Sequence, residues 1–176
     1  LPSDVLQHEV NTILKEGVHL HLNTTVGKDI EFRDVRNGHD AVYIATGTQF
    51  PQRVNIPGEN LKGIIHGVTF LKNVKLYKSI NLEGQTVAVI GGGNVAIDAA
   101  RVALRCGSSD VTMVCLEPRE KMPASAEEIA EAEEEGTAIR CGYGPKEFLT
   151  KGGHVCGVVL KRCTGLYDAE GRFAPT

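Results

Sequence analysis

A glycine-rich hexapeptide near the middle of the chain has the residue types and spacing to bind a phosphorylated ligand. It follows the pattern G-x-G-x-x-A and comprises Gly91, Gly92, Gly93, Asn94, Val95 and Ala96. Between a strand and a helix, Gly91 allows a tight turn, Gly93 leaves room for a pyrophosphate, and Ala96 lets the helix pack close to the sheet. The N–H groups and the positive dipole end of that helix then face the phosphates. The pattern predicts a dinucleotide site; the alternative is a glycine-rich turn that binds nothing.

An acidic residue follows at the distance where a dinucleotide site needs one. Glu117 lies 21 residues after Ala96, at the end of the next predicted strand. A carboxylate there accepts hydrogen bonds from the adenosine ribose hydroxyls and repels the additional 2′-phosphate of NADP(H). Arg119, two residues further on, could instead pair with that phosphate. The sequence therefore favours NAD(H) over NADP(H), and Arg119 keeps NADP(H) as the alternative.

Two other sets of charged residues have both a structural and a functional interpretation. Asp98 and Arg101 are three residues apart on the predicted nucleotide helix, where they can pair with each other or lie near the nicotinamide. Six glutamates lie between residues 127 and 135. We interpret these glutamates as the solvated face of a helix, the alternative being an acidic docking surface.

The segments around the hexapeptide predict the sheet that positions it. Apolar runs predict strands over 86–90 and 111–116, and helical patterns follow each of them at 94–106 and 125–136. Alternating strands and helices are typical of a parallel sheet. Beyond residue 138, short alternating runs separated by glycines predict three or four antiparallel strands. The predicted fold class is α/β, a Rossmann-like parallel sheet with an antiparallel β meander.

The N-terminal part of the chain predicts a helix and two strands. Ser3 can cap the helix and Gly17 ends it, and its apolar residues recur at helical spacing. An alternating run predicts a strand over 18–22, and a short apolar run predicts a buried strand over 41–45. The stretch 48–60 contains several prolines and glycines, so we predict a loop there that links two domains.

Two capping and helical patterns complete the prediction. Apolar spacing predicts a helix over 68–77, between the linker and the first strand of the parallel sheet. Ser125 and Glu128 have the spacing of a capping box, in which each residue satisfies the backbone N–H of the other.

Composition and charge exclude several classes of partner. The chain has 176 residues, 41% of them apolar, and a net charge of −3. This small negative charge does not favour binding to nucleic acid or to a lipid surface. No apolar stretch approaches the roughly 20 residues of a membrane span.

The cysteines and histidines are interpreted without a disulfide or a metal. The five cysteines are odd in number and none are spaced C-x-x-C, which argues against a disulfide framework and favours a reducing, cytoplasmic location. Cys106 and Cys115 are interpreted as packing thiols. His19 and His21 share one predicted strand face without a third ligand, so no metal site is predicted.

Several longer stretches resemble the NAD(P)H-dependent flavin oxidoreductases of the glutamate synthase small-subunit type, within the pyridine nucleotide-disulphide oxidoreductase superfamily. The stretch 91–101 is similar to their pyridine-nucleotide motif, and 119–125 is similar to the segment that follows it. The stretch 40–47, ending Ala45-Thr46-Gly47, resembles the "ATG" strand of flavoproteins that bind two dinucleotides. Shorter matches at 56–59 and 142–145 extend the resemblance over essentially the whole chain.

The resemblance implies a division of the chain. Residues 1–58 would be the central part of an FAD-binding domain, in which Thr46 and Gly47 could line a flavin held by other residues. Residues 59–176 would be an NAD(P)H-binding domain whose C-terminal end is incomplete. The chain is accordingly expected to be a fragment of a longer flavoprotein.

The resemblance also implies a function. NAD(P)H would pass hydride to FAD, and electrons would continue to a further acceptor, such as an electron-accepting subunit or an iron–sulfur module of the parent enzyme. The cofactors carry this chemistry, so no catalytic residue is assigned, and the isolated chain is expected to be inactive. The alternative is a non-catalytic module that binds or senses NAD(H).

One departure from the family bears on the choice of cofactor. Many members place paired arginines at the end of the second strand, where they bind the 2′-phosphate of NADP(H). This chain has Leu116 and Glu117 there, which agrees with the preference for NAD(H).

Two other interpretations of the sequence, a flavin site at the hexapeptide and a short-chain dehydrogenase, are disfavoured. The hexapeptide follows the ATG strand and ends in alanine, unlike the flavin motif. Tyr143 and Lys146 lack the spacing of a short-chain dehydrogenase pair.

Overall fold

A computed structural model describes residues 2–48, 50–51, 53–77 and 80–176. It divides the chain into two compact units, Leu1–Gly47 and Thr48–Thr176. Leu1, included in the predicted N-terminal segment, and two positions of the predicted linker, 49 and 52, lie outside the described residues.

The first unit contains helix α1 (Ser3–Lys15) and helix α2 (Phe32–Asn37). Gly17 ends the first helix as predicted: it has a φ of +88° and its N–H donates to the Leu14 carbonyl. The start differs from the prediction, because Pro2 occupies the N-cap position and Ser3 is already helical. The second helix, one and a half turns long, was not predicted from its turn-rich sequence.

The two strands predicted in the first unit do not form. Residues 18–22 and 41–45 have no ladder to any described segment. Their apolar side chains are exposed, with Leu22 at 70% and Ile44 at 68% of full accessibility. A strand requires a neighbour to pair its N–H and C=O groups, and the pattern of a segment predicts its own periodicity without providing that neighbour.

The second unit is built on a three-stranded parallel sheet with helices between the strands. Strand order is β1–β2–β3, so consecutive strands are neighbours. In chain order its elements are α3 (Gly67–Tyr77), β1 (Thr86–Ile90), α4 (Asn94–Arg105), β2 (Asp110–Cys115), a short 3₁₀ turn (Arg119–Lys121), α5 (Ala126–Glu134) and β3 (Ala138–Cys141). The α/β fold class and the parallel sheet are confirmed.

The core lies between one face of this sheet and the helices. Alternate residues of β2, Val111, Met113 and Cys115, point to the same face and are at most 2% exposed. Helix α4 covers them with Ile97 and with three small residues, Ala99, Ala100 and Ala103. Small side chains on α4 allow α3 to pack closely on it.

The antiparallel part is smaller than predicted. Ala138–Cys141, which was counted among the antiparallel strands, pairs parallel to β2 because α5 returns the chain to the sheet. The remaining strands, β4 (Tyr143–Lys151) and β5 (His154–Arg162), form one hairpin. Its two-residue turn has positive φ at both Gly152 and Gly153, as a type I′ turn requires.

The segment before α3 runs along this hairpin. Phe148 donates its N–H to the Pro57 carbonyl at 2.9 Å, and Val155 donates to the Lys62 carbonyl at 2.9 Å. A Cβ on Gly58 would lie 2.7 Å from the Phe148 carbonyl oxygen, so only glycine fits there.

Candidate dinucleotide site

The glycine turn connects β1 to α4 at the carboxyl end of the parallel sheet. Gly91 has a φ of +141°, and its N–H donates to the Val114 carbonyl at 2.9 Å, which continues the ladder between β1 and β2. A Cβ on Gly91 would lie 3.3 Å from the Cβ of Ala96. The two positions therefore approach closely enough to require small residues at both.

Gly92 is the most tightly enclosed glycine of the turn. A Cβ there would lie 2.9 Å from the Cys115 Cβ and 3.0 Å from Oε2 of Glu117. The glycine is buried, and Glu117 is half-buried beside it. The sequence pattern treats this position as variable and carried no signal for this packing. The requirement arises because β2 ends directly beneath the turn.

Gly93 faces open space. A Cβ on this residue would have no neighbour within 4 Å, and its φ of −92° is available to any residue. Gly93 is the N-cap of α4, and no side chain of the described residues caps this end of the helix. The first turn therefore presents backbone N–H groups at the positive end of the helix dipole, with room in front of them for a phosphate.

The loop after β2 is tied to the glycine turn by two hydrogen bonds. Ala124 donates its N–H to the Gly92 carbonyl at 3.1 Å, and Ser125 donates its N–H to Oδ1 of Asn94 at 3.2 Å. Asn94 thus serves the fold through its side chain, whereas Val95 is exposed at 49%. The start of α5 lies beside the start of α4 as a result.

The predicted capping box forms only in part. Oγ of Ser125 accepts the N–H of Glu128 at 3.2 Å, which confirms the N-cap of α5. The reciprocal bond is absent, because the Ser125 N–H is taken by Asn94. Oε2 of Glu128 is buried without a partner among the described residues.

Arg119 is bound by a glutamate on α5. Its Nη1 and Nη2 donate to the two carboxylate oxygens of Glu133 at 2.7 and 2.6 Å. These bonds raise the pKa of Arg119. The sequence had suggested Arg119 as a partner for a phosphate, and Glu133 had been assigned to a solvated helix face.

Arg101 pairs across the helices and not with Asp98, so the pairing predicted within α4 is wrong. Its guanidinium contacts Glu131 and Glu135 of α5, each at 2.6 Å. Arg105 contacts Glu135 at the same distance. Partners on a neighbouring helix depend on how the helices pack, which residue spacing along one helix does not show. The acidic helix is therefore partly neutralised by α4.

A cavity of about 730 Å³ opens at the carboxyl edge of the sheet. Leu116 and Gly142 line it, and Gly142 donates its N–H to the Glu117 carbonyl at 3.0 Å. Its charged and aromatic lining consists of three cations, one glutamate and two tyrosines, namely Arg119, Lys121, Arg162, Glu120, Tyr143 and Tyr167. Ligands of open α/β sheets bind beyond the carboxyl ends of the strands, where this cavity lies.

Cys115 lies beneath the turn without chemistry of its own. Burial raises the pKa of its thiol to about 12, and neighbouring Cys141, opposite it in the β2–β3 ladder, adds to the increase. The thiol is therefore protonated at neutral pH and acts as packing, as predicted. Cys106 packs against the core around α4. Among the described residues, no three His, Cys, Asp or Glu side chains group to hold a metal ion.

Thr46 and Gly47 end the first unit. Thr46 is exposed, and Gly47 has a φ of +67°. Their contact with a flavin stays a prediction. In the described part of the chain, no helix combines the length and the apolar character that crossing a membrane would need.

A sequence profile of the pyridine nucleotide-disulphide oxidoreductases matches residues 4–170. The chain belongs to this family. The match spans both units, so the glycine turn and the segment ending in Thr46 and Gly47 are parts of one family sequence.

Two curated relatives match nearly the whole chain. The chain is 39% identical over 178 residues to the beta subunit of an NADP(+)-dependent formate dehydrogenase from Moorella thermoacetica, covering 99% of this chain and 25% of that protein. It is 34% identical to the small chain of a glutamate synthase [NADPH] from Azospirillum brasilense, covering 99% of this chain and 39% of that protein. The chain thus spans between a quarter and two fifths of the length of these two relatives.

A solved structure shows the same fold. FprA from Mycobacterium tuberculosis in complex with NADPH superposes with a TM-score of 0.74 at 22% identity, over 88% of this chain and 49% of that one. This likeness confirms the fold class.

Proposed function

We propose that the second unit binds an NAD(P)(H) dinucleotide at the glycine turn, within a protein that passes hydride from the nicotinamide to FAD and electrons to a further acceptor. The observation that carries the proposal is the open space at Gly93, in front of an uncapped helix N-terminus. A pyrophosphate requires such space, and the turn has no side chain that would fill it.

The residues around the turn fit the other parts of a dinucleotide. Glu117, held over Gly92, would accept hydrogen bonds from the adenosine ribose. The cavity beyond it, with Tyr143 and Tyr167 on its walls, would receive the adenine. The nicotinamide, when bound, supplies the hydride. The chain's own groups bind and orient, and none is assigned a proton-transfer role.

A preference for NAD(H) is part of this proposal. The Glu117 carboxylate stands where a 2′-phosphate would be repelled, and the nearest arginine along the chain is already paired with Glu133. The two relatives described above are named for NADP(+) and NADPH. A preference of this chain for NADP(H) is therefore the alternative that the experiment must distinguish from a preference for NAD(H). The division at residue 58 into flavin-binding and nicotinamide-binding parts belongs to the same proposal.

The whole protein's activity is proposed from family membership. Relatives of this chain include subunits of a formate dehydrogenase and of glutamate synthases, which supports an oxidoreductase over a module that only senses NAD(H). An electron-accepting subunit or an iron–sulfur module is the partner we expect. The five free thiols support a reducing, cytoplasmic compartment.

A fluorescence titration with NADH, and in parallel with NADPH, tests the proposal. The chain contains no tryptophan, so nicotinamide emission can be followed against little protein background. Gly93→Ala places a methyl group in the phosphate space without strain, and we expect it to weaken binding about tenfold or more. Gly157→Ala is the matched control, because its added Cβ makes only ordinary contacts with Leu149 in the hairpin.

Two results would contradict the proposal. A folded wild-type chain that binds neither nucleotide would show that the turn is structural. Equal binding by the Gly93→Ala variant and the wild type would show that the nucleotide binds elsewhere.

A further inference from the structure

Glu133 holds Arg119 in the way that a phosphate group would. Both terminal nitrogens of the guanidinium donate to the two oxygens of one carboxylate, at 2.7 and 2.6 Å. This bidentate geometry is the one that arginine uses for phosphates as well as carboxylates. The nitrogens that a phosphate needs are thus already engaged.

The position of Arg119 relates this pair to the dinucleotide. Arg119 lies two residues beyond Glu117 and lines the cavity at the carboxyl edge of the sheet. Glu133 contacts it from α5 and does not line the cavity. Arg119 therefore borders the proposed site on the side of the ribose, and the Glu133 carboxylate contacts Arg119 from outside the cavity.

We propose that Glu133 is a positioning residue that disfavours NADP(H) by occupying Arg119. The inference rests on the proposed dinucleotide site. A 2′-phosphate would compete with Glu133 for the same two N–H donors, whereas a 2′-hydroxyl does not require them. Together with Glu117, Glu133 sets the preference between the two nucleotides from a different element of the fold.

The strength of the pair sets the size of the effect. The side chains of Arg119 and Glu133 are 42% and 44% exposed, so the interaction is screened by water. Exposed ion pairs of this kind correspond to about a two- to fivefold change in a binding constant. We therefore expect release of Arg119 to tighten NADP+ binding by about this factor, with NAD+ binding unchanged.

Calorimetric titrations with NAD+ and NADP+ test this inference. Glu133→Gln removes the charge and one acceptor while keeping the size of the side chain. Glu134→Gln is the matched control, because it makes the same change of charge at the next position of α5, outside the pair with Arg119. We expect the ratio of the NADP+ and NAD+ dissociation constants to fall in the first variant alone.

A double variant separates release of Arg119 from a general loss of negative charge. In Arg119→Ala, the further change Glu133→Gln is expected to have no effect on the ratio. A gain that persists in the double variant, an equal gain in Glu134→Gln, or an unchanged ratio in Glu133→Gln would overturn the inference while leaving the dinucleotide site in place. A wild-type chain that binds neither NAD+ nor NADP+ would overturn the proposed function, and this inference with it.

Discussion

Oε2 of Glu117 lies 3.0 Å from the position that a Cβ on Gly92 would occupy. The acidic residue at the end of β2 and the middle glycine of the turn after β1 are therefore in direct contact, although 25 positions separate them in the sequence. Their contact follows from the parallel register of β1 and β2, which brings both strand ends to the same edge. The proposed ribose-binding group and the proposed phosphate-binding turn are therefore positioned by one feature of the sheet.

Gly92→Ala is expected to destabilise the second unit. Its methyl group would overlap the Cys115 Cβ at 2.9 Å and the Glu117 carboxylate at 3.0 Å. Overpacking of this kind costs about 1–3 kcal/mol in the free energy of unfolding. Denaturant unfolding followed by circular dichroism measures the change.

The control for this prediction is Gly93→Ala, whose methyl group meets open space. We expect that variant to unfold like the wild type. Similar losses of stability in both variants would mean that the turn tolerates no side chain at all, and the particular role of Gly92 would be disproved.

Glu117→Ala is expected to weaken NADH binding more than NADPH binding. The carboxylate would lose its hydrogen bonds to the ribose hydroxyls, worth about 1.5–3 kcal/mol for a charged acceptor, or about ten- to a hundredfold in affinity. For NADPH, the loss of repulsion opposes this effect. Titration by nicotinamide fluorescence gives both constants.

Glu134→Ala is the control for this variant, because it removes the same charge from α5 at a residue that does not line the cavity. A comparable loss of NADH binding in both variants would indicate a general electrostatic effect. It would remove the assignment of Glu117 to the ribose.

The central part of the fold could be predicted because its signals are local. Strand β1, helix α4 and the cap of α5 by Ser125 each follow from a few adjacent residues, and each is present. The strands predicted over 18–22 and 41–45 failed for the opposite reason, since a strand depends on a partner that its own sequence does not specify. Strand β3 was misassigned because four alternating residues do not distinguish a parallel from an antiparallel neighbour.

The candidate site shows the same division. Gly91 and Ala96 were assigned from their spacing, and their close approach at 3.3 Å supplies the physical reason. The contact of Gly92 with Glu117, the bond from Ser125 to Asn94 and the pair between Arg119 and Glu133 all join separate elements. Such contacts depend on how the helices and strands pack, so residue patterns alone could not predict them.

The ion pairs between α4 and α5 should make stability depend on pH in the acid range. Hydrogen bonds from Arg101 and Arg105 lower the pKa of Glu135 below its ordinary value of 4.5. A lowered pKa in the folded state contributes stability above the ordinary value, and this contribution is lost as the pH falls through the lowered pKa. Glu135→Gln should therefore cost about 1 kcal/mol at neutral pH, and its difference from the wild type should shrink below about pH 4.5.

Thermal unfolding of both proteins across this pH range provides the measurement. Glu134→Gln changes the same charge on the neighbouring residue and should leave the pH dependence of the wild type in place. A Glu135→Gln deficit that stays constant into the acid range would show that the carboxylate's charge is not what joins the two helices.

Cys115 should resist alkylation while Cys156 reacts. The thiolate is the nucleophile, and burial raises the pKa of Cys115 to about 12, so this thiol stays protonated at pH 8. Cys156 is exposed on β5, so the reagent can reach its thiol. Treatment with iodoacetamide at pH 8, followed by peptide mass spectrometry, should find Cys156 modified long before Cys115.

The control is the same treatment in denaturant. There the two thiols should react at similar rates, because the difference between them comes from the fold. Early modification of Cys115 in the native protein would show that the end of β2 opens to solvent, and the close packing of Gly92 over Cys115 would then be disproved.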